Sequence, residues 1–203
     1  MKIALIGATG FIGSRILDEA LRRGHQVTAI TRNPEKVPAR GGVTAQRGDV
    51  FDEAGLARLL AGHDVVISAV HFLQSDAAKL LGAVRQSSVQ RYLVVGGAGS
   101  LRIGPGQDLV DSPHFPPQYK DEASKGRDFL NLLRGETGLD WTFLSPAALI
   151  EPGARTGKFR LGKDDLVTDA AGESRISAED YAVALLDEVE QPRHIRQRFT
   201  LAY

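Results

Sequence analysis

Near the N-terminus seven residues, Gly7-Ala8-Thr9-Gly10-Phe11-Ile12-Gly13, stand between an apolar run, Ile3-Ala4-Leu5-Ile6, and a stretch with Ile12, Ile16 and Ala20 at fourfold spacing. The run reads as a strand and the spacing as one face of a helix. A glycine-rich turn joining a first strand to a first helix is suited to an anionic diphosphate. Gly7 permits the tight turn, Gly10 leaves room for phosphate oxygens, and Gly13 lets the helix pack on the strand. The helix N-terminus adds unpaired N–H groups and a partial positive charge. The glycine turn, with Thr9, Phe11 and Ile12 inside it, is therefore the expected pyrophosphate site of a dinucleotide.

The remaining chemistry-bearing residues follow the ends of later strands. After the second strand comes Thr31-Arg32-Asn33, where NAD-specific sites carry an acid for the ribose hydroxyls. Arg32 is planar, permanently charged and suited to two hydrogen bonds with a phosphate. NADP(H) is accordingly expected over NAD(H), with Arg15 as a possible second charge. Asp49 and Val50 follow the third strand and are expected at the adenine; Asp49 serves equally well as a turn aspartate. Ser68, Ala69 and Val70 end the fourth strand and offer small residues along the cofactor.

Reaction-centre candidates are Ser100, after Gly96-Gly97-Ala98-Gly99, and Tyr119. In dehydrogenases of this design a lysine four residues after the tyrosine lies on the same helix face and lowers its pKa. Here that position is Ala123, and neither Lys120 nor Lys125 shares the face. The proton relay is broken. His71 and His114 are substrate-pocket candidates. The five histidines show no metal-ligand spacing, and no metal is expected. Arg155, Lys158 and Arg160 form a basic cluster that reads as a solvated face or as an attractor for an acidic substrate.

The elements that must position these residues alternate. Strands are expected at Lys2–Ile6, Val27–Ile30, Thr44–Arg47, Val65–Ala69, Tyr92–Val95 and Trp141–Leu144, with a last one at Phe199–Tyr203. Helices are expected at Phe11–Arg23, Glu53–Ala61, Asp76–Ser88 and about Asp121–Arg134. A further helix opens at the capping box Ser177-Ala178-Glu179-Asp180, with Tyr181, Leu185 and Val189 facing the core. This rhythm predicts an α/β fold: a Rossmann-like, doubly wound parallel sheet with helices on both faces. Its ligand crevice lies at the carboxyl ends of the strands. Residues 1–203 read as one domain. A small C-terminal lobe over about 147–175, with a hairpin near Phe159–Val167, closes the crevice. The glycine- and proline-rich stretch from Gly97 to Gln118 reads as a functional loop beside it.

Composition limits the alternatives. With 203 residues, 42% hydrophobic and 25% charged, the chain has ordinary globular proportions. Its net charge is zero, which argues against nucleic acid or a membrane surface as a general partner. It has no cysteine, which excludes disulfides, thiolate catalysis and cysteine-held metals. No run is long enough to span a bilayer and the first strand begins at once, so a cytoplasmic location is expected.

Several stretches together carry a family resemblance. They are the glycine turn, Gly24-His25-Gln26-Val27-Thr28-Ala29, Thr31-Arg32-Asn33-Pro34-Glu35-Lys36 and Gly48-Asp49-Val50. Val94-Val95-Gly96-Gly97-Ala98-Gly99-Ser100-Leu101, Asp140-Trp141-Thr142-Phe143-Leu144-Ser145-Pro146-Ala147 and Glu179-Asp180-Tyr181-Ala182 complete the set. The chain resembles the atypical short-chain dehydrogenase/reductases, whose NAD(P)H-binding members include NmrA-like regulators, biliverdin IXβ/flavin reductases and small quinone reductases. The resemblance implies that Pro146 and Ala147 border the nicotinamide end, with Ala147 on the substrate side. It also implies one of two roles. The first is a reductase that passes hydride from NADPH to a small flavin-like or quinone-like acceptor. The other is a non-catalytic redox sensor that acts through a protein partner.

Overall fold

The computed structural model describes all residues, 1–203. Twelve strands and five helices follow in chain order. They are β1 (Lys2–Ile6), α1 (Phe11–Arg22), β2 (Gln26–Thr31), β3 (Val43–Arg47), α2 (Glu53–Leu60), β4 (Val65–Ser68), α3 (Ala77–Gln86) and β5 (Arg91–Val95). Then come β6 (Arg102–Gly104), β7 (Gln107–Asp108), α4 (Lys120–Arg134), β8 (Asp140–Ser145), β9 (Leu149–Glu151), β10 (Arg160–Gly162), β11 (Arg175–Ser177), α5 (Ala178–Glu190) and β12 (Gln197–Ala202).

Eight strands form one sheet in the order β10-β12-β8-β5-β4-β1-β2-β3. Every pair in it is parallel except β10 with β12. Central strands such as β1, β4 and β5 are buried almost throughout, as Ile3-Ala4-Leu5-Ile6, Val65-Val66-Ile67 and Leu93-Val94-Val95, because both faces are covered. One face packs on Ile16, Leu17 and Ala20 of α1 and Tyr181, Leu185 and Val189 of α5. The other packs on Leu56 and Leu60 of α2, Leu80 and Val84 of α3, and Phe129 and Leu133 of α4. The sheet is therefore doubly wound, and the order of connection reverses between β1 and β4. Ligand crevices in such sheets open at that point.

The expected elements lie where the sequence puts them, within a residue or two. Two local readings need correction. No hairpin forms near Phe159–Val167; instead Arg160–Gly162 pairs antiparallel with β12 at the sheet edge. The capping box is half made. Ser177 Oγ accepts the Asp180 N–H at 2.9 Å, but the Asp180 carboxylate turns away from Ser177 N–H. It accepts instead from the N–H groups of Thr156 and Gly157, both at 2.8 Å, and from the Tyr203 hydroxyl. Asp180 is fully buried, so these donors replace water around its charge. Over 147–175 the chain thus divides: β10 extends the central sheet, while β9 pairs in parallel with β11.

Candidate functional site

The glycine turn owes its shape to two of its three glycines. Gly7 has φ +86°, and a Cβ there would lie 2.3 Å from Ala69 O. A Cβ on Gly13 would lie 2.0 Å from Gly7 O, so α1 can approach β1 only without one. Gly10 differs. Its φ is −74°, and a Cβ would meet nothing closer than Gly7 O at 3.4 Å. No protein contact requires a glycine at position 10; the space beside it faces the cleft.

Helix α1 starts at that space. Its N-cap is Gly10, which offers no side chain, and its first turn carries no acid. The first intrahelical bond runs from Ser14 N–H to Gly10 O at 2.9 Å, leaving the N–H groups of Phe11, Ile12 and Gly13 ahead of it. An anion is the natural partner for such an end.

A solvent-open cleft of about 160 Å³ begins at this turn. Gly7, Thr9, Gly10, Arg32, Asp49, Val50, Ala69, Val70 and His71 all line it, together with Phe51 and Gln74. The ends of β1, β2, β3 and β4 thus bring most of the expected dinucleotide residues to one place. Thr9 Oγ1 lies 3.4 Å from Thr31 Oγ1, which ties the glycine turn to the end of β2. One oxygen of Asp49 accepts the Phe51 N–H at 2.9 Å, closing an Asx turn. Asp49 is therefore a turn aspartate that also faces the cleft.

Arg32 is exposed and forms no ion pair. Two further arginines, Arg47 and Arg58, share with it a shallow depression continuous with the cleft through Gly48 and Asp49. Arg47 is 3.8 Å from Glu35, a loose surface pair. Neither arginine stands out in the sequence, because strand β3 and helix α2 bring them beside Arg32 only once folded. Arg15 does not join them. Its Nε donates to Glu179 at 3.2 Å and its Nη1 to Phe11 O, so it is held on the outer side of α1.

The other expected residues lie elsewhere. Ser68 is buried and its hydroxyl is 2.9 Å from the Tyr92 hydroxyl, beneath the cleft floor. Burial pushes the Tyr92 phenol well above its ordinary range, against the weaker pull of Ser68, so the pair is neutral. Ser100 is also buried. Its hydroxyl and carbonyl oxygens each accept from Arg198 at 3.3 Å. Tyr119 is 61% exposed, in the turn before α4. Ser100 and Tyr119 thus occupy opposite extremes of burial, and neither lines the cleft at the glycine turn. Pro146 and Ala147 are buried just past β8. His114 is exposed in the long loop, away from that cleft. In the basic cluster, Arg155 clamps Glu19 with two bonds of 2.7 Å, and Arg160 donates to Thr168 O. Those two cations are exposed but engaged by the chain's own acceptors, and not free attractors.

Arg198 is the principal residue that the sequence reading missed. Its side chain is 2% exposed, and it joins Asp164 at 2.6 Å to Ser100 and, at 3.4 Å, Ser145. Burial pushes the Asp164 carboxyl up, but the bond from Arg198 and the charges of Arg198, Arg102 and Arg134 hold it below its ordinary range. The one available signal was a guanidinium opening the otherwise apolar strand Phe199-Thr200-Leu201-Ala202.

A doubly wound sheet, a glycine turn opening on a free helix N-terminus, and an unpaired arginine after β2 together define a Rossmann dinucleotide-binding protein. The chain belongs to the NAD(P)H-binding family, whose model it matches over residues 7–192, within the atypical short-chain dehydrogenase/reductases. It is 41% identical to the uncharacterized Bacillus subtilis protein YwnB, covering 99% of this chain and 98% of that one. A Streptococcus pneumoniae structure, provisionally named an NADH-flavin reductase, is 37% identical with a TM-score of 0.87, covering 100% of this chain and 99% of that one. A Burkholderia pseudomallei structure, provisionally described as an exported protein, is 52% identical with a TM-score of 0.90, each chain covered in full. No helix here is long and apolar enough to cross a membrane.

Proposed function

We propose that this protein is an NADPH-dependent reductase of flavin-type or quinone-type small molecules. The observation that carries the reading is that Arg32, Arg47 and Arg58 line one depression adjoining the cleft, while its two carboxylates, Asp49 and Asp52, are engaged with the backbone N–H groups of Phe51 and Gly55 and none stands directly after β2. The free N–H groups of Phe11, Ile12 and Gly13 would hold the pyrophosphate, and the space at Gly10 fits it. Asp49 and Val50 would take the adenine, and the three guanidiniums the 2′-phosphate. Ala69 and Val70 would flank the cofactor, with Pro146 and Ala147 toward its nicotinamide end.

When bound, NADPH supplies a hydride from nicotinamide C4. Flavins and quinones accept a hydride and take the accompanying proton from water, so no tyrosine–lysine relay is required. This agrees with the broken spacing at Ala123 and with the burial of Ser100. The name of the Streptococcus relative supports the same acceptor class. The chain's contribution is orientation and exclusion of water. The reading carries a cytoplasmic location with it, where NADPH is the reducing pool, in contrast to the description of the Burkholderia relative.

The test is NADPH oxidation with FMN and menadione, with Tyr119→Phe beside the wild type. We expect turnover with at least one acceptor and a loss below about tenfold in the variant, about 1.4 kcal/mol of barrier. A loss of about 10²–10⁴ would make Tyr119 a general acid and overturn the mechanism. Tight NADPH binding without turnover would favour the sensor.

A further inference from the structure

The outer wall of the cleft is the segment His71-Phe72-Leu73-Gln74, a short turn of 3-10 helix with its preceding residue. His71 and Gln74 line the cleft. Nothing in the ladder of β4 reaches this segment, and its own carbonyls satisfy only part of it. Its remaining support comes from α4, which contributes no residue to the cleft. One carboxylate oxygen of Glu122 accepts the Phe72 N–H at 2.7 Å and the other accepts the Leu73 N–H at 2.9 Å. His71 Nδ1 lies 3.3 Å from the same carboxylate. One turn further along, Gly126 opens a hollow for the Phe72 ring: a Cβ there would lie 2.7 Å from Phe72 Cε2. The ring sits edge-on to Phe129, with centroids 6.1 Å apart, and stacks on Phe143 at 6.4 Å. Glu122, Gly126 and Phe129 are spaced i, i+4, i+7, so a single face of α4 grips the segment.

We infer that Glu122 is a positioning residue for the dinucleotide cleft, fixing the His71–Gln74 wall through the two backbone N–H groups while Gly126 seats the Phe72 ring. The inference rests on the dinucleotide reading of the cleft. A carboxylate is required because both donors need an acceptor. A glutamine in its place would keep one carbonyl oxygen and turn an NH₂ toward the second N–H. That N–H would then be unpaired, and the wall would be free to move relative to Val50 and Asp49 on the opposite side. Preorganisation of the cleft would be lost without removal of any group that touches the ligand.

The test is calorimetric titration of the intact protein with NADPH for the wild type, Glu122→Gln, Gly126→Ala and the control Asp128→Asn, whose exposed side chain points away from the grip. Amide NMR shifts of Phe72 and Leu73, recorded without ligand, report the local bond directly. The account predicts about a tenfold weaker Kd for Glu122→Gln, with shifted Phe72 and Leu73 amides and a melting temperature lowered by only about a few degrees. Gly126→Ala should weaken binding in the same direction, and the double variant by less than the product of the two, because both act on one segment. Should Gly126→Ala fail to fold, Glu122→Gln decides alone. Amides that shift while NADPH binds as in the wild type would overturn the positioning role and leave the dinucleotide reading intact. A wild type that does not bind NADPH would overturn both.

Discussion

Single residues separate what the fold needs from what a ligand needs. Gly13→Ala places a methyl 2.0 Å from Gly7 O and should destabilise the protein by roughly 1–3 kcal/mol, the range for overpacking. A Cβ at Gly10 meets no such obstacle, so Gly10→Val should stay folded, with a loss of about 1 kcal/mol from valine at the N-cap, while NADPH binding is lost. A Gly10→Val protein that binds normally would show that the pyrophosphate lies elsewhere. Arg32→Asp should weaken NADPH by about tenfold to a hundredfold and NADH far less, because a hydrogen bond to a charged group is worth roughly 1.5–3 kcal/mol. Arg47→Ala and Arg58→Ala should each repeat the effect more weakly, since they line only the adjoining depression whereas Arg32 also lines the cleft itself. Equal loss for NADPH and NADH on calorimetric titration would contradict a 2′-phosphate role.

At the scale of elements, the central strands and the helices were legible because apolar runs and fourfold spacings are local signals. The glycine turn and Arg32 were legible for the same reason: strand, turn and helix adjoin in sequence. Arg47, Arg58, Glu122 and Arg198 were not, because each acquires its role from an element far away in the chain. The expected hairpin at Phe159–Val167 failed for a related reason. The partner of β10 is β12, some forty residues on, and local alternation cannot distinguish a near partner from a far one. The segment around Arg155 shows how such distant pairing is secured. Glu19 of α1 is buried, with Arg23 and Arg155 on it at 2.7 Å and Arg22 at 3.4 Å. Burial pushes this carboxyl up, but the bonds from Arg155 and Arg23 outweigh it and leave the pKa below its ordinary 4.5. A carboxyl depressed in the folded state stabilises fully above its unfolded pKa and loses that contribution as pH falls through the folded value. The melting temperature should therefore drop as pH falls below the ordinary carboxyl value of 4.5. Glu19→Gln should be less stable at neutral pH and have a flatter dependence across that window. Parallel curves for the two proteins, measured by scanning calorimetry, would exclude Glu19 as an acid-sensitive brace.

Across the whole molecule, the sheet collects at one edge, in the ends of β1 to β4, the groups suited to a phosphorylated dinucleotide. The far half of the sheet, with β5, β8 and β12, is closed beneath by Ser100, Ser145, Arg198 and Asp164. Ala123 stands where a lysine would complete a relay with Tyr119, and the proposed acceptors take their proton from water. The central claim is tested most directly by steady-state oxidation of NADPH and NADH at matched concentrations, with FMN and menadione as acceptors. The account predicts turnover with at least one of them and a kcat/KM for NADPH about tenfold or more above that for NADH. NADPH that binds but is not oxidised with either acceptor, or NADH that serves equally well, would contradict it.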